Sequence, residues 1–292
     1  MANKHTASNA VAKVKETKEV ATVQPTGGAV ATFDYGDAAG AGFENQDSSF
    51  QQVPFISILQ SISPEVTAEN SELKAGMIYN SVTQEAIKGS DGMLLVPALV
   101  ERVFVEWVPR ENGGGDGAGF VGIHQPDSEV VRAAQERADP KNRNALKTPE
   151  GNQLVETFQM YATTCDEKGD PTGAAIIPFT STKISPFKAW SSKINQFPHR
   201  KYGMKGQPPL FAHLTRMTTV KTKNKKGEFY VVALTPAKEG HVLESLLGPD
   251  NEAFQQAFQL YTSVKSGQAK ANYATAKQEG GDVEGGTPEV PF

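Results

Sequence analysis

A single cysteine, Cys165, occurs in 292 residues, and that scarcity removes both an internal disulfide and a cysteine-rich zinc site. A reducing, cytoplasmic setting is expected. No apolar run approaches the roughly 20 residues that cross a bilayer as a helix. The opening MANKHTASNAVAKVKETKEV lacks the apolar stretch of a secretory signal, so no membrane partner is expected. Catalytic motifs are missing too. The five histidines, His5, His124, His199, His213 and His241, are scattered without metal-ligand spacing. No Gly-x-Ser-x-Gly occurs, and the glycine-rich run 113–119 lacks the Lys-Ser/Thr of a phosphate-binding loop. No catalytic residue, metal or cofactor is expected, and the chain reads as a non-enzyme.

The most informative absence is of carboxylates. Between Pro171 and Gly227 there is no Asp or Glu, while Lys183, Lys188, Lys193, Arg200, Lys201, Lys205, Arg216, Lys221, Lys223, Lys225 and Lys226 all fall there. With a net charge of −4 for the whole chain and eleven cations in this stretch, the remainder carries −15. Ordinary surfaces intersperse the two signs. Segregation on this scale reads as an electrostatic footprint for a polyanion.

Phe187, Trp190, Phe197, Tyr202 and Phe211 lie among these cations. Cations that follow a phosphate backbone, mixed with aromatic faces that stack on bases, are what sequence-independent binding of a single strand requires. The candidate contacts are Lys188, Trp190, Lys193, Phe197, Arg200, Lys201, Tyr202, Lys205, Arg216, Lys221, Lys223 and Lys225. Some have a second reading. Phe187, Trp190 and Ile194 recur at helical spacing, so Trp190 is either core or stacking platform. Phe197 and Tyr202 sit in a loop beside Pro198 and stand between the same alternatives, whereas Phe211 opens a strand and reads as core.

Along the chain, residues 1–50 are poor in large apolar groups and read as a disordered segment. A single domain is expected over 51–277, beginning at the apolar cluster Val53–Leu59. Strands are expected over 76–82, 93–108, 120–123, 154–164, 174–179, 210–223 and 229–234. In the second of these Val103, Val105 and Trp107 share one face, with Arg102, Phe104 and Glu106 on the other. Helices are expected from the Asp127-Ser128 cap to about Ala138, from Ser185 as N-cap with Pro186 at N1 to about Gln196, and from Pro249-Asp250 through Phe254, Ala257, Phe258, Tyr261 and Val264. The fold class is therefore mainly β with a few helices (α+β), and the leading architecture is an OB-like, five-stranded, partly open barrel between disordered tails.

From Gln278 the chain changes character. QEGGDVEGGTPEVPF carries Glu279, Asp282, Glu284 and Glu289, no cation and many glycines, and reads as an acidic disordered tail over 278–292. Its end, Glu289-Val290-Pro291-Phe292, resembles the tip of bacterial and bacteriophage single-stranded DNA-binding proteins. Those proteins finish in an acidic tail with an aromatic end. The resemblance implies that Val290, Pro291 and Phe292, introduced by Glu289, dock into basic, apolar pockets on replication or recombination proteins. It departs in two respects, since this tail is less acidic and the core does not match the compact bacterial domain. The expected function is to coat single-stranded DNA and recruit partners through the tail. Two rivals remain: a phage structural or accessory protein whose basic face meets an acidic protein, and a metal-dependent nuclease or annealing recombinase.

Overall fold

The structure, a computed structural model, describes residues 53–109, 119–140, 145–224, 227–238 and 241–273, all within one compact unit. The segment 1–50, most of the glycine-rich run, and the acidic tail with its Glu289, Val290, Pro291 and Phe292 lie outside the described residues.

Among the described residues ten strands and four α-helices follow one another as β1 (Ile56–Ile58), α1 (Pro64–Thr67), β2 (Ile78–Asn80), β3 (Ala86–Ile87), β4 (Met93–Trp107), β5 (Phe120–His124), α2 (Glu129–Glu136), β6 (Leu146–Lys147), β7 (Gln153–Cys165), β8 (Pro171–Thr180), α3 (Ile184–Asn195), β9 (Thr215–Asn224), β10 (Gly227–Pro236) and α4 (Glu252–Lys265). The chain is mainly β with a few helices. Its strands form two open antiparallel sheets, one of three strands (β1-β2-β3) and one of seven. The expected class, mainly β with a few helices, is present, whereas among the described residues neither sheet closes and the expected OB-like barrel is not shown.

The difference is made by β4. Fifteen residues rich in Val and Leu extend well beyond an ordinary strand. One edge pairs along its length with β7, Leu94 to Trp107 against Cys165 to Gln153. The other edge is shared, Met93–Leu95 pairing with β9 and Phe104–Trp107 with β5. A bulge at Pro97–Leu99 lets the strand bend between those partners. β7 carries β8 and the short β6 on its far edge, and β9 continues into β10.

No described ladder joins β8 to β10. β1 stands between their edges instead. The Ile176 amide donates to Pro54 O at 2.9 Å. On the other side, Gln60 Nε2 donates to Tyr230 O and the Tyr230 amide donates to Gln60 Oε1, both at 2.9 Å.

Side-chain alternation then gives the large sheet two apolar faces. Ile56, Ile58, Leu95, Met160, Ala162, Ile177, Phe179, Met217 and Val232 converge on one, closed off by Phe187, Trp190 and Ile194 of α3. On the opposite face, Val96, Val103, Val105, Trp107, Tyr161 and Ile176 meet Ala253, Ala257 and Val264 of α4. The expected grouping of Val103, Val105 and Trp107 is present. Their neighbours Phe104 and Glu106 are buried as well, because α2, β5 and β6 cover that side with Val131, Ala134 and Leu146.

Two expected elements shift. Ser185 is not an N-cap. The 3₁₀ turn Ser181–Lys183 runs directly into α3, so the helix starts at Ile184 and Ser185 lies inside its first turn. Residues 210–212 form a 3₁₀ turn rather than the start of a strand, with β9 beginning at Thr215. α4 starts where its Asn251 cap accepts from the Phe254 amide at 3.2 Å. Its periodic residues divide: Ala257 and Val264 are buried, while Phe258 is exposed beside Phe211 and Tyr261.

Candidate nucleic-acid interface

The apolar stripe of α3 faces inward, which leaves Lys188 and Lys193 on its outer surface. Trp190 is 3% exposed and packs 6.0 Å from Phe187. Neither face of its indole is open, so it belongs to the core and the stacking reading is withdrawn. Lys188 Nζ lies 5.1 Å from the Phe158 ring centroid, a cation–π distance.

α3 ends at Gln196, and the chain turns at once through Phe197-Pro198 into a 3₁₀ turn, His199–Tyr202. Several backbone hydrogen bonds hold this segment. The Lys201 amide donates to Pro198 O at 3.0 Å, Gly203 to Arg200 O at 3.1 Å and Met204 to His199 O at 3.1 Å. Gly203 sits at φ +76, the left-handed conformation that ends the turn. Gln207 Nε2 ties the following loop back to α3 through Ile194 O at 2.9 Å. Phe197 is 7% exposed and Tyr202 46%. Their rings are parallel, 2° apart in plane with centroids 5.4 Å apart. Phe197 is thus the buried support and Tyr202 the exposed plate. Arg200 and Lys201 stand exposed on the same turn, beside an open depression that Asn195, Phe197 and Gln207 also line.

The hairpin β9-β10 carries Lys221 and Lys223. Folding undoes part of the charge segregation seen along the chain. Lys221 Nζ pairs with Glu228 Oε2 at 2.6 Å across the hairpin, and that hydrogen bond and charge raise the Lys221 pKa. Arg216 donates to Asp91 O at 3.0 Å and reaches Glu167 Oε2 at 3.4 Å. By contrast Lys193, Arg200, Lys201, Lys205 and Lys223 are exposed and have no carboxylate partner among the described residues. Lys225 lies outside the described residues.

The opposite side of the sheet is closed. α4 and residues 269–273 lie across β4 and β7. Tyr273 OH donates to Gln159 Oε1 at 3.2 Å, and the Ala271 amide donates to Tyr161 OH at 3.2 Å. Burial, with Glu101 nearby, pushes the Tyr161 phenol up to about 12. Cys165 is likewise buried and its thiol pushed up to about 12, so no reactive thiolate is present near neutral pH. Among the described residues no group of three or more His, Cys, Asp and Glu is placed to hold a metal, and no helix is long and apolar enough to cross a membrane.

Two features escaped the sequence reading. Arg102 Nε donates to Glu156 Oε1 at 2.7 Å and its guanidinium lies 5.5 Å from the Phe104 ring centroid. Glu106 is buried with both oxygens engaged, Oε2 by His124 Nε2 at 2.6 Å and Oε1 by Asn152 Nδ2 at 2.7 Å. The second cluster joins three segments 18 and 46 residues apart, and no local spacing announces it.

A family model described as Pam3 phage gp34-like protein matches residues 20–270. No curated protein matches the chain. No solved structure matches it either.

Proposed function

The chain belongs to the Pam3 phage gp34-like protein family, and on that premise we propose that it is a phage single-stranded DNA-binding protein. It coats DNA in the host cytoplasm during replication or recombination, without catalysis. The observation that carries this reading is the set of exposed cations in the carboxylate-free stretch, Lys193, Arg200, Lys201, Lys205 and Lys223, that folding leaves with neither a carboxylate nor an aromatic ring as partner among the described residues. A polyanion neutralises such a set and releases counterions.

An OB-like reading of the large sheet supports the same function. β4, β7 and β8 form an antiparallel meander, α3 follows and packs on β10, and β9 returns to pair with β4 before turning into β10. That order of strands and helix is the one expected of an OB barrel, with β1 filling the gap between third and fifth strands. OB barrels take oligonucleotides on the face of their second and third strands and with the loops that border it. In this chain α4 occupies the outer side of β7, so the reading moves the DNA to α3, the turn 199–202 and the β9-β10 hairpin. The tail residues Glu289, Val290, Pro291 and Phe292 recruit partner proteins in this account.

The test is a fluorescence-anisotropy titration of labelled oligo-dT and of a matched duplex. Tight, salt-sensitive binding that favours the single strand supports the reading. Absent binding, or equal affinity for both, rejects it in favour of a protein-contact surface.

A further inference from the structure

We infer that Tyr202 is a base-stacking plate, so that the turn 199–202 takes one unpaired base and its flanking phosphates and is the part of the chain that senses bases rather than charge. The inference rests on the single-strand reading above and deepens it. Four observations meet at this turn.

The Tyr202 ring is exposed on one side and backed on the other by the parallel ring of Phe197, which is itself buried at the end of α3. A base that lands on Tyr202 therefore extends a stack already built. It immobilises no floppy side chain, which lowers the ordering cost of contact. Second, the backbone beneath is fixed by the bonds from Lys201, Gly203 and Met204 and by the left-handed Gly203. Third, Arg200 and Lys201 immediately precede the plate and have no carboxylate partner among the described residues. As exposed cations of the same turn they supply positive charge for the phosphates that flank a stacked base. Fourth, no Asp or Glu occurs anywhere from Pro171 to Gly227, so nothing in the segment repels a phosphate.

A duplex keeps its bases paired and stacked on one another, and an exposed ring gains nothing from it. A single strand offers unstacked π-faces of any sequence. An acidic protein or another base-free polyanion would use Arg200 and Lys201 and ignore Tyr202.

The probes are a labelled oligo-dT and an abasic oligonucleotide of equal length, which differ only in bases. The full chain should prefer the oligo-dT. Tyr202→Ala should lose about 5- to 150-fold of the oligo-dT affinity, keep the abasic affinity and keep the salt slope. Tyr202→Phe should restore the preference, because it retains the ring. Unchanged abasic binding shows that each variant is folded. A Tyr202→Ala chain that still prefers oligo-dT as the parent does overturns this inference while the single-strand reading survives. Failure of the parent chain to bind either oligonucleotide overturns the single-strand reading first. Loss of affinity for both probes together would make Tyr202 a structural support and equally overturn the inference.

Discussion

Neutralising Arg200, Lys201 and Lys205 together should flatten the salt dependence of single-strand binding, while neutralising Arg216 and Lys221 should leave it almost unchanged. All five are cations of one carboxylate-free stretch of sequence, and only the fold distinguishes them. Lys221 is paired with Glu228 at 2.6 Å, and Arg216 is held by Asp91 O at 3.0 Å and Glu167 at 3.4 Å. A cation that already has its counter-charge releases little on meeting a phosphate. Each phosphate neutralised on a single strand contributes about 0.7 to the slope of log affinity against log salt, so Lys193, Arg200, Lys201, Lys205 and Lys223 together give a slope near −3.5. Between about 50 and 200 mM salt that slope means a loss of about 130-fold in affinity. Replacing Arg200, Lys201 and Lys205 by Gln leaves two phosphate contacts, a slope near −1.4 and a loss of only about 7-fold. Anisotropy titrations at four salt concentrations measure both variants. The reasoning fails if Arg216→Gln/Lys221→Gln lowers the slope by about 1.4, the value for two free cations, or if the triple variant keeps the parent slope.

Three further expectations concern stability. His213 is 4% exposed, and burial pushes its imidazole down to about 4. The fold thus holds a neutral ring while the unfolded chain protonates near 6.5, so stability is complete above that pH and is lost as pH falls towards 4. The loss is about 1 kcal/mol at pH 6 and about 2 kcal/mol at pH 5. His213→Leu should remove that part of the pH dependence in urea melts, and identical profiles for variant and parent would reject it. Trp190 Nε1 is buried with no hydrogen-bond partner among the described residues. Trp190→Phe relieves that cost of about 1–3 kcal/mol while losing ring volume, so urea denaturation should place it within about 1 kcal/mol of the parent. A much larger loss would mean that the indole nitrogen is satisfied. A Cβ on Gly89 would overlap the Thr219 hydroxyl and the Gly76 carbonyl, whereas one on Gly206 would meet nothing. Gly89→Ala should therefore cost about 1–3 kcal/mol and Gly206→Ala almost nothing, and equal melting temperatures for the two would contradict the close approach of Gly76 and Gly89 to Thr219 of β9.

Much of the architecture was legible because its signals are local. The apolar run 93–108, which alternates only in its second half, covers the whole of β4, and Ser128 caps α2 through the Val131 amide as its residue type suggests. The turn Asp166–Pro171 joins β7 to β8, with Asp166 Oδ1 accepting from the Lys168 and Asp170 amides. What stayed hidden depends on distant partners. No periodicity says that β4 shares one edge between β9 and β5, or that β1 stands between β8 and β10. Phe258 and Ala257 of α4 both belong to the apolar spacing of the helix, yet Ala257 is buried while Phe258 is exposed beside Phe211.

The site divides in the same way. Along the sequence Tyr202 and Phe197 are both loop aromatics, but burial separates them, with Phe197 inside and Tyr202 exposed against it. Charge read along the chain overestimates charge in space, because Glu228 lies one residue past Gly227 and folds straight back onto Lys221. Glu167 returns to Arg216 across a longer span.

Ultraviolet cross-linking of oligo-dT to the full chain, with the linked peptides identified by mass spectrometry, tests the central claim most directly. Function and location are read in one experiment. The account predicts cross-links concentrated on the segment 197–205, with Tyr202 the principal residue and further links towards the β9-β10 hairpin. Cross-links concentrated on Phe258 and Tyr261 of α4, or none above a bovine albumin control, would contradict it.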